Sequence, residues 1–182
     1  RVRMPNYESA HRHFKWEIPE TFNFGADVVD QWATNPDHLA LIWCNHEGAE
    51  ARFTYADIAC LTSQFANLLT AKGVRKGDRV LVMLPRIPAW QIAMVGCLKM
   101  GLVPIPCVTM LTASDIAYRI KDAQAVAVVT TVENTGKIAN DYDLKVRISV
   151  GGGAGWLDFE AALEEQPTKF DPPRIAAEDP AI

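Results

Sequence analysis

The chain has 182 residues, 49% of them hydrophobic and 22% charged, which is typical of a soluble globular domain with a buried core. Its formal net charge is −4 and it has no basic run interleaved with aromatic residues, so we expect no nucleic-acid partner. Its longest apolar stretches are too short to cross a bilayer, and no secretory signal precedes the first elements, so we expect no membrane span.

The first third of the sequence predicts an arm, a helix and a hairpin. Residues 1–23 show little periodicity and predict an extended N-terminal arm. A helix is predicted from Gly25 to Ala33. Two strand-like runs flank the turn "NHEGAE", so residues 39–54 predict a β-hairpin. Thr54 is then a good N-cap, with Asp57 three residues on, for a helix that carries one apolar stripe.

Strands alternate with helices after the hairpin. The strand-like runs are "RVLVMLP", "LVPIPCV", "AVAVVTT" and "KVRISV", and the helices are predicted at Pro88–Gly101, Thr112–Ala123, Thr135–Asn140 and Trp156–Leu163. The prolines of "LVPIPCV" restrict that strand to an edge or an end. This order predicts an α/β subdomain over residues 24–165 with a mostly parallel sheet and helices on its faces. Residues 166–182, rich in proline and polar residues, predict a surface linker.

No catalytic or metal-binding set is complete in the sequence. The four cysteines are far apart, which argues against a zinc site and a disulfide scaffold and favours a reducing compartment; Cys97 is interpreted as a core residue. Gly151–Gly155 lies where a phosphate loop would, but lacks the following Lys-Ser/Thr pair, and is interpreted as a flexible connection. His11 and His13 have no third ligand, so we expect no metal site. The carboxylates near the first helix are interpreted as a solvated face; they are Asp27, Asp30 and Asp37.

Three places after predicted strands are candidate binding positions. Arg86 directly follows "VLVMLP", where ligands bind in open α/β sheets, although it could equally cap a helix or pair with a carboxylate. The loop Cys107–Leu111 is apolar for a surface loop, which indicates contact with a ligand, a partner or the core. Lys137 is expected in the first turn of a short helix, where it could meet a phosphate or be ordinary surface charge.

Several stretches together resemble a known family. They are "FNFGADVVDQWA", "GDRVLVMLPRIPAWQIAMVGCLKMGLVPIPC", "TASDIAYRIKDAQAVAVVT" and "GWLDFEAAL". The set is similar to the N-terminal part of acyl-CoA synthetases, within the adenylate-forming superfamily that includes luciferases and nonribosomal peptide adenylation domains. The medium-chain acyl-CoA synthetases are the most similar, and the resemblance covers nearly the whole chain.

The resemblance implies an ATP-dependent acid–CoA ligase that acts on a carboxylic acid, medium-chain fatty or aromatic. ATP, Mg²⁺ and coenzyme A would serve the intact enzyme, in the cytoplasm or, in a eukaryote, the mitochondrial matrix. The loop Thr109, Met110 and Leu111 is similar to one that approaches coenzyme A, and basic residues near Lys137 can face its phosphates. Met110 is apolar, so a contact there would be apolar or through the backbone.

The family's phosphate loop, adenine-binding segment, ribose-binding aspartate and catalytic lysine have no match in these residues. We therefore expect no catalytic residue here, no tight ATP, Mg²⁺ or coenzyme A binding by the chain alone, and self-association through an open sheet edge. The ending "AAEDPAI" resembles the turn that leads into the family's phosphate-loop strand, so a continuation is expected. Alternatives stay open: an adenylation domain that uses a carrier protein, a luciferase-like enzyme, or a non-catalytic nucleotide-binding or assembly module.

Overall fold

The computed structural model describes residues 6–182. The strands are β1 (Leu39–Cys44), β2 (Glu50–Thr54), β3 (Arg79–Val82), β4 (Val103–Pro106), β5 (Ala127–Thr131), β6 (Val146–Val150) and β7 (Leu157–Asp158). The α-helices are α1 (Tyr7–His13), α2 (Tyr55–Ala71), α3 (Pro88–Met100), α4 (Ala113–Ala123) and α5 (Phe159–Glu164). Phe24–Asp30 forms a π-helical segment, and Val132–Lys137 forms a 3₁₀ helix. Within the described residues, no helix is both long and apolar enough to cross a membrane.

Five strands form a parallel sheet in the order β4-β3-β5-β6-β7. The predicted α/β class and parallel sheet are therefore confirmed. β4 lies at one edge, as its prolines predict, because Pro104 and Pro106 have no N–H to donate to a further strand. β1 and β2 pair antiparallel as a separate two-stranded hairpin, which confirms the expectation for residues 39–54.

Helices cover both faces of the sheet. The central strands carry apolar side chains on each of these faces, and both sets must be buried. Val80 and Val82 of β3 belong to a core cluster that also contains side chains of α2, α3 and α5. Leu81 and Met83 belong to a second cluster, which packs against α4. Cys97 is fully buried in the first cluster, so its interpretation as a core residue is confirmed.

Four predicted elements differ from the structure. The helix expected from Gly25 to Ala33 begins as the π-helical segment Phe24–Asp30. The expected extended arm contains helix α1, because the Asn6 side chain accepts hydrogen bonds from Glu8 N and Ser9 N and caps its first turn; residues 1–5 of the arm lie outside the described residues. The helix expected at Thr135–Asn140 is instead the 3₁₀ helix, which ends at Lys137. The last helix begins at Phe159 and not at Trp156, because Asp158 accepts from Ala161 N and caps it there.

The π-helical segment docks on α2 and α3 through a buried lysine. Lys99 Nζ donates to Asp30 Oδ1 at 2.7 Å, to Ser63 Oγ at 3.1 Å and to the Ala59 carbonyl at 3.3 Å. Asn23 Nδ2 donates to the Lys99 carbonyl at 2.9 Å. The interpretation of Asp30 as part of a solvated face is therefore wrong: its carboxylate neutralises the charge of a side chain that is fully buried.

Residues 20–22 pair with residues 175–177 through backbone hydrogen bonds. Phe22 N donates to the Ile175 carbonyl at 3.0 Å, and Ala177 N donates to the Glu20 carbonyl at 3.1 Å. Asn67 of α2 donates to the carbonyls of Pro167 and Lys169, at 2.8 Å each. The Asn67 bonds hold the backbone at Pro167 and Lys169 against α2.

Replacing Thr54 by alanine should remove the N-terminal cap of α2. Thr54 Oγ1 accepts from Asp57 N at 3.1 Å, and Asp57 Oδ2 accepts from Thr54 N at 2.7 Å. Loss of such a cap lowers the free energy of unfolding by about 1 kcal/mol, which urea unfolding followed by circular dichroism should detect. Thr54→Ser keeps the hydroxyl and removes the same methyl group, so it should stay within a few tenths of a kcal/mol of the unaltered protein. Equal losses in both variants would contradict the capping role.

Candidate functional site at the carboxyl ends of β3 and β4

The order of the parallel strands defines where a crevice opens. The chain passes from β3 to β4 on one side and then returns to β5 on the other side of β3. Connections that leave in opposite directions separate at the carboxyl ends of the strands, and ligands of open α/β sheets bind there. A site is therefore expected at the loops after β3, β4 and β5.

A cavity of about 750 Å³ lies at this edge. Its walls come from strand β1 of the hairpin, the loop after β3, the first turn of α3 and the loop after β4. The lining is mainly apolar and includes two indole rings, those of Trp43 and Trp90. A concave, apolar lining with a few polar groups is typical of a small-molecule site.

The hairpin is held against the loop after β3 by one long-range hydrogen bond. Trp43 Nε1 donates to the Arg86 carbonyl at 2.8 Å. This bond makes β1 a wall of the cavity and fixes the backbone from which the Arg86 side chain projects. The sequence gives no signal for Trp43, because an aromatic residue in a strand is ordinary and its partner lies 43 positions away.

Positive charge collects on one side of the cavity. Arg86 is exposed and lines the cavity, and within the described residues no carboxylate lies within 4.0 Å of its guanidinium group. Helix α3 starts next to it, with Pro88 in its first turn and no side chain capping its N-terminus. The positive end of a helix dipole and an unpaired guanidinium group both favour an anionic or electron-rich group at this side of the cavity.

The structure brings three of the five candidate residues together. Arg86, Thr109 and Met110 line the same cavity. Leu111 is half-buried and packs instead against the core cluster beneath α4. Lys137 lies at the end of the 3₁₀ helix and not in a first turn as expected, and its Nζ donates to the Thr109 carbonyl at 2.8 Å.

The thiol in the cavity wall is not prepared for nucleophilic chemistry. Burial raises the pKa of Cys107, and nearby Arg119 lowers it only in part. Burial also raises the pKa of Cys97. Thiols in this state are protonated at neutral pH, so neither is an activated nucleophile.

The glycine run Gly151–Gly155 is a turn between β6 and β7. Four of its glycines have positive φ, from 71° to 124°, a range that other residues rarely adopt. The Ser149 hydroxyl donates to the Gly152 carbonyl inside this turn. Within the described residues, no group of three or more His, Cys, Asp or Glu side chains is arranged to hold a metal ion.

The chain matches one protein family and is similar to several known proteins. Residues 28–182 match the family described as AMP-binding enzyme. The human mitochondrial acyl-coenzyme A synthetase ACSM3 is 37% identical over 172 residues, which are 87% of this chain and 29% of that protein. The mouse protein of the same name is 44% identical over 175 residues, 87% of this chain and 30% of that protein.

Solved structures show the same fold. An acyl-CoA synthetase from Brucella canis superposes with a TM-score of 0.85 at 22% identity, over 95% of this chain and 34% of that chain. An acetoacetyl-CoA synthetase from Streptomyces lividans superposes with a TM-score of 0.79 at 22% identity, over 88% of this chain and 28% of that chain. The present chain thus spans about a third of the length of the proteins it matches.

Proposed function

Because the chain belongs to the family of AMP-binding enzymes and resembles the acyl-CoA synthetases within it, we propose that it is one part of an AMP-forming acid–CoA ligase. In this reaction a carboxylate attacks the α-phosphate of ATP, which gives an acyl-adenylate and releases pyrophosphate. The thiol of coenzyme A then attacks the acyl carbon, which forms the thioester and releases AMP. We infer a medium-chain fatty or aromatic acid as the acyl donor.

The cavity at the ends of β3 and β4 supports this proposal for the second step, the transfer of the acyl group to coenzyme A. Coenzyme A combines an apolar, amide-containing arm with phosphate groups. The exposed Met110 side chain and the indole rings of the cavity fit the arm, and the unpaired guanidinium of Arg86 fits a phosphate. We infer that Thr109 and Met110 contact the arm, and that Arg86 binds a phosphate at the mouth of the cavity.

Among residues 6–182, no side chain is a candidate for the first step. No lysine-containing phosphate loop occurs, and the described residues contain no metal-holding cluster. We therefore assign the ATP and Mg²⁺ sites to other residues of the intact enzyme and expect only weak ATP binding by this chain. The names of the relatives place them in mitochondria, and we infer the same compartment in a eukaryotic host. The self-association expected from the open sheet edge stays a prediction.

Replacing Arg86 by alanine in the intact enzyme should weaken the use of coenzyme A and leave adenylation intact. We expect the KM for coenzyme A to rise about tenfold, the effect of losing one charge-assisted hydrogen bond. Thioester formation from octanoate or benzoate measures the second step, and acid-dependent pyrophosphate exchange measures the first.

Arg75→Ala is the matched control, because Arg75 is an exposed arginine before β3, at the opposite end of the sheet. Its KM for coenzyme A should not change. An equal rise in both variants would remove Arg86 from the site. An intact enzyme that forms acyl-adenylate but no coenzyme A thioester would refute the proposed function and favour a carrier-protein acceptor.

A further inference from the structure

The side chain of Lys137 forms a hydrogen bond with the backbone of another loop. It is half-buried, and its Nζ donates to the Thr109 carbonyl at 2.8 Å, a contact between residues 28 positions apart. Within residues 6–182, Lys137 makes no ion pair with a carboxylate. In the structure its ammonium group therefore binds a backbone carbonyl, whereas its place after a strand end led to the expectation of a phosphate contact.

This bond joins two loops that do not belong to neighbouring strands. Thr109 follows β4 and Lys137 follows β5, and β3 lies between these strands in the sheet. The hydrogen bond therefore connects segments that follow two strands on opposite sides of β3, and Thr109 lines the cavity. This hydrogen bond therefore ties the middle of the β4 loop to the segment that follows β5.

The loop it holds has little else to fix its tip. Val108 and Met110, on either side of Thr109, are 59% and 85% exposed. Exposed side chains contribute almost no burial to hold a backbone in place. The remaining anchors are the Cys107 N–H, which donates to the Val82 carbonyl at 2.8 Å, the Leu111 N–H, which donates to the Val108 carbonyl at 3.4 Å, and the half-buried Leu111 side chain, which packs against the core.

We infer that Lys137 is a positioning residue: it holds the Thr109 carbonyl so that Val108, Thr109 and Met110 form a fixed rim of the cavity. The inference rests on the proposed function for its consequence, which is that the rim aligns the thiol-bearing arm of coenzyme A. In this role the lysine acts through the loop and does not bind the phosphates of coenzyme A itself.

The first test measures the loop directly and needs no substrate. Amide hydrogen exchange is followed at Cys107 and Leu111 in the unaltered chain, in Lys137→Met and in Lys137→Arg. We expect exchange at these two amides to be about tenfold faster in Lys137→Met, the change produced by losing one charge-assisted hydrogen bond. Arginine can donate to the same carbonyl and should restore the slow exchange.

Lys121→Met is the control, because Lys121 is an exposed lysine on the neighbouring helix α4. It should leave exchange at Cys107 and Leu111 unchanged, and all three variants should melt within a few degrees of the unaltered chain. Unchanged exchange in Lys137→Met would overturn the inference, whether or not the protein is a ligase.

The second test separates positioning from phosphate binding in the intact enzyme. Thioester formation is measured with coenzyme A and with pantetheine, which has the thiol-bearing arm and no phosphate. A positioning role predicts that Lys137→Met raises the KM for both acceptors by a similar factor, about tenfold, with kcat changed less than twofold and with rescue by arginine. A penalty that appears with coenzyme A and disappears with pantetheine would overturn the inference, because it would show a phosphate contact.

Different results would contradict the ligase function and the positioning role of Lys137. If the unaltered intact enzyme makes no thioester with either acceptor, the proposed function is wrong, and the hydrogen-exchange result alone decides the role of Lys137. If thioester forms but exchange at Cys107 and Leu111 is the same in all variants, the ligase function stands and the positioning role is wrong.

Discussion

Asp30→Asn is expected to lower the free energy of unfolding by about 2 kcal/mol, less than the loss for a fully buried ion pair because solvent partly screens the Asp30 carboxylate. The loss arises because the substitution leaves the Lys99 ammonium group without a carboxylate partner. The Lys99 side chain is completely buried, whereas the Asp30 side chain is 36% exposed. Asparagine has nearly the same shape as aspartate, so the change removes the charge and leaves the packing in place.

The geometry explains why the loss should be large. The Lys99 ammonium has three N–H donors and three acceptors within 3.3 Å, but only Asp30 supplies negative charge. The Ser63 hydroxyl and the Ala59 carbonyl remain in the variant and satisfy hydrogen bonds without neutralising the ammonium. An exposed ion pair would contribute far less, because water already screens both charges.

A second substitution makes this prediction specific. Adding Lys99→Met removes the buried charge, so the double variant should be more stable than Asp30→Asn alone. Asp37→Asn is the control, since Asp37 is an exposed aspartate beyond the π-helical segment and forms no salt bridge among the described residues. Urea unfolding of the four proteins measures the free energies. A double variant that is less stable than Asp30→Asn would contradict the prediction, because it would show that the hydrogen bonds of the Lys99 ammonium to Ser63 and Ala59 outweigh the cost of its unpaired charge.

Gly96→Ala should also destabilise the protein, by about 2 kcal/mol net: a clash this close costs up to about 3 kcal/mol in a packed core, and the higher helix propensity of alanine offsets about 1 kcal/mol. A Cβ at this position would lie 2.6 Å from Phe65 Cδ1 and 3.3 Å from Phe65 Cβ. Phe65 lies on α2 and is fully buried, so its ring cannot move into solvent. The helices α2 and α3 would have to separate, and α3 begins beside Arg86 at the cavity.

Helix propensity opposes this effect and is too small to cancel it. Alanine is favoured over glycine in a helix by about 1 kcal/mol, so the clash must exceed that gain for Gly96→Ala to destabilise. Gly136→Ala is the matched control, because no atom lies within 4 Å of a Cβ there and its φ is not in the left-handed region. It should be neutral or slightly stabilising in the same urea unfolding experiment. A stabilised Gly96→Ala would mean that α2 and α3 adjust more easily than a close-packed core allows.

The local features of this fold were readable from the sequence because the interactions that produce them span only a few residues. Thr54 with Asp57, and Thr112 with Asp115, form capping boxes at a spacing of three. The prolines of β4 place that strand at an edge because proline has no N–H to donate to a further strand. The same local logic failed at Trp156, since the cap formed two residues later at Asp158.

The candidate site could be predicted only in part. Strand ends pointed to Arg86 and to the loop that contains Thr109 and Met110, because carboxyl ends of parallel strands share one edge of a sheet. The direction of each side chain could not be predicted in this way. Leu111 turns into the core, and Trp43, which no pattern indicated, closes the cavity from the hairpin.

By itself the sequence determined the α/β class, the parallel sheet, the hairpin and the family resemblance, all of which depend on periodicity, caps and short ordered stretches. Only the tertiary structure decided which distant groups meet. The three decisive contacts join Lys137 to Thr109, Trp43 to Arg86 and Lys99 to Asp30, across 28, 43 and 69 positions. Each depends on how helices and loops pack around the sheet, and a pattern of neighbouring residues carries no information about a partner that only packing brings near.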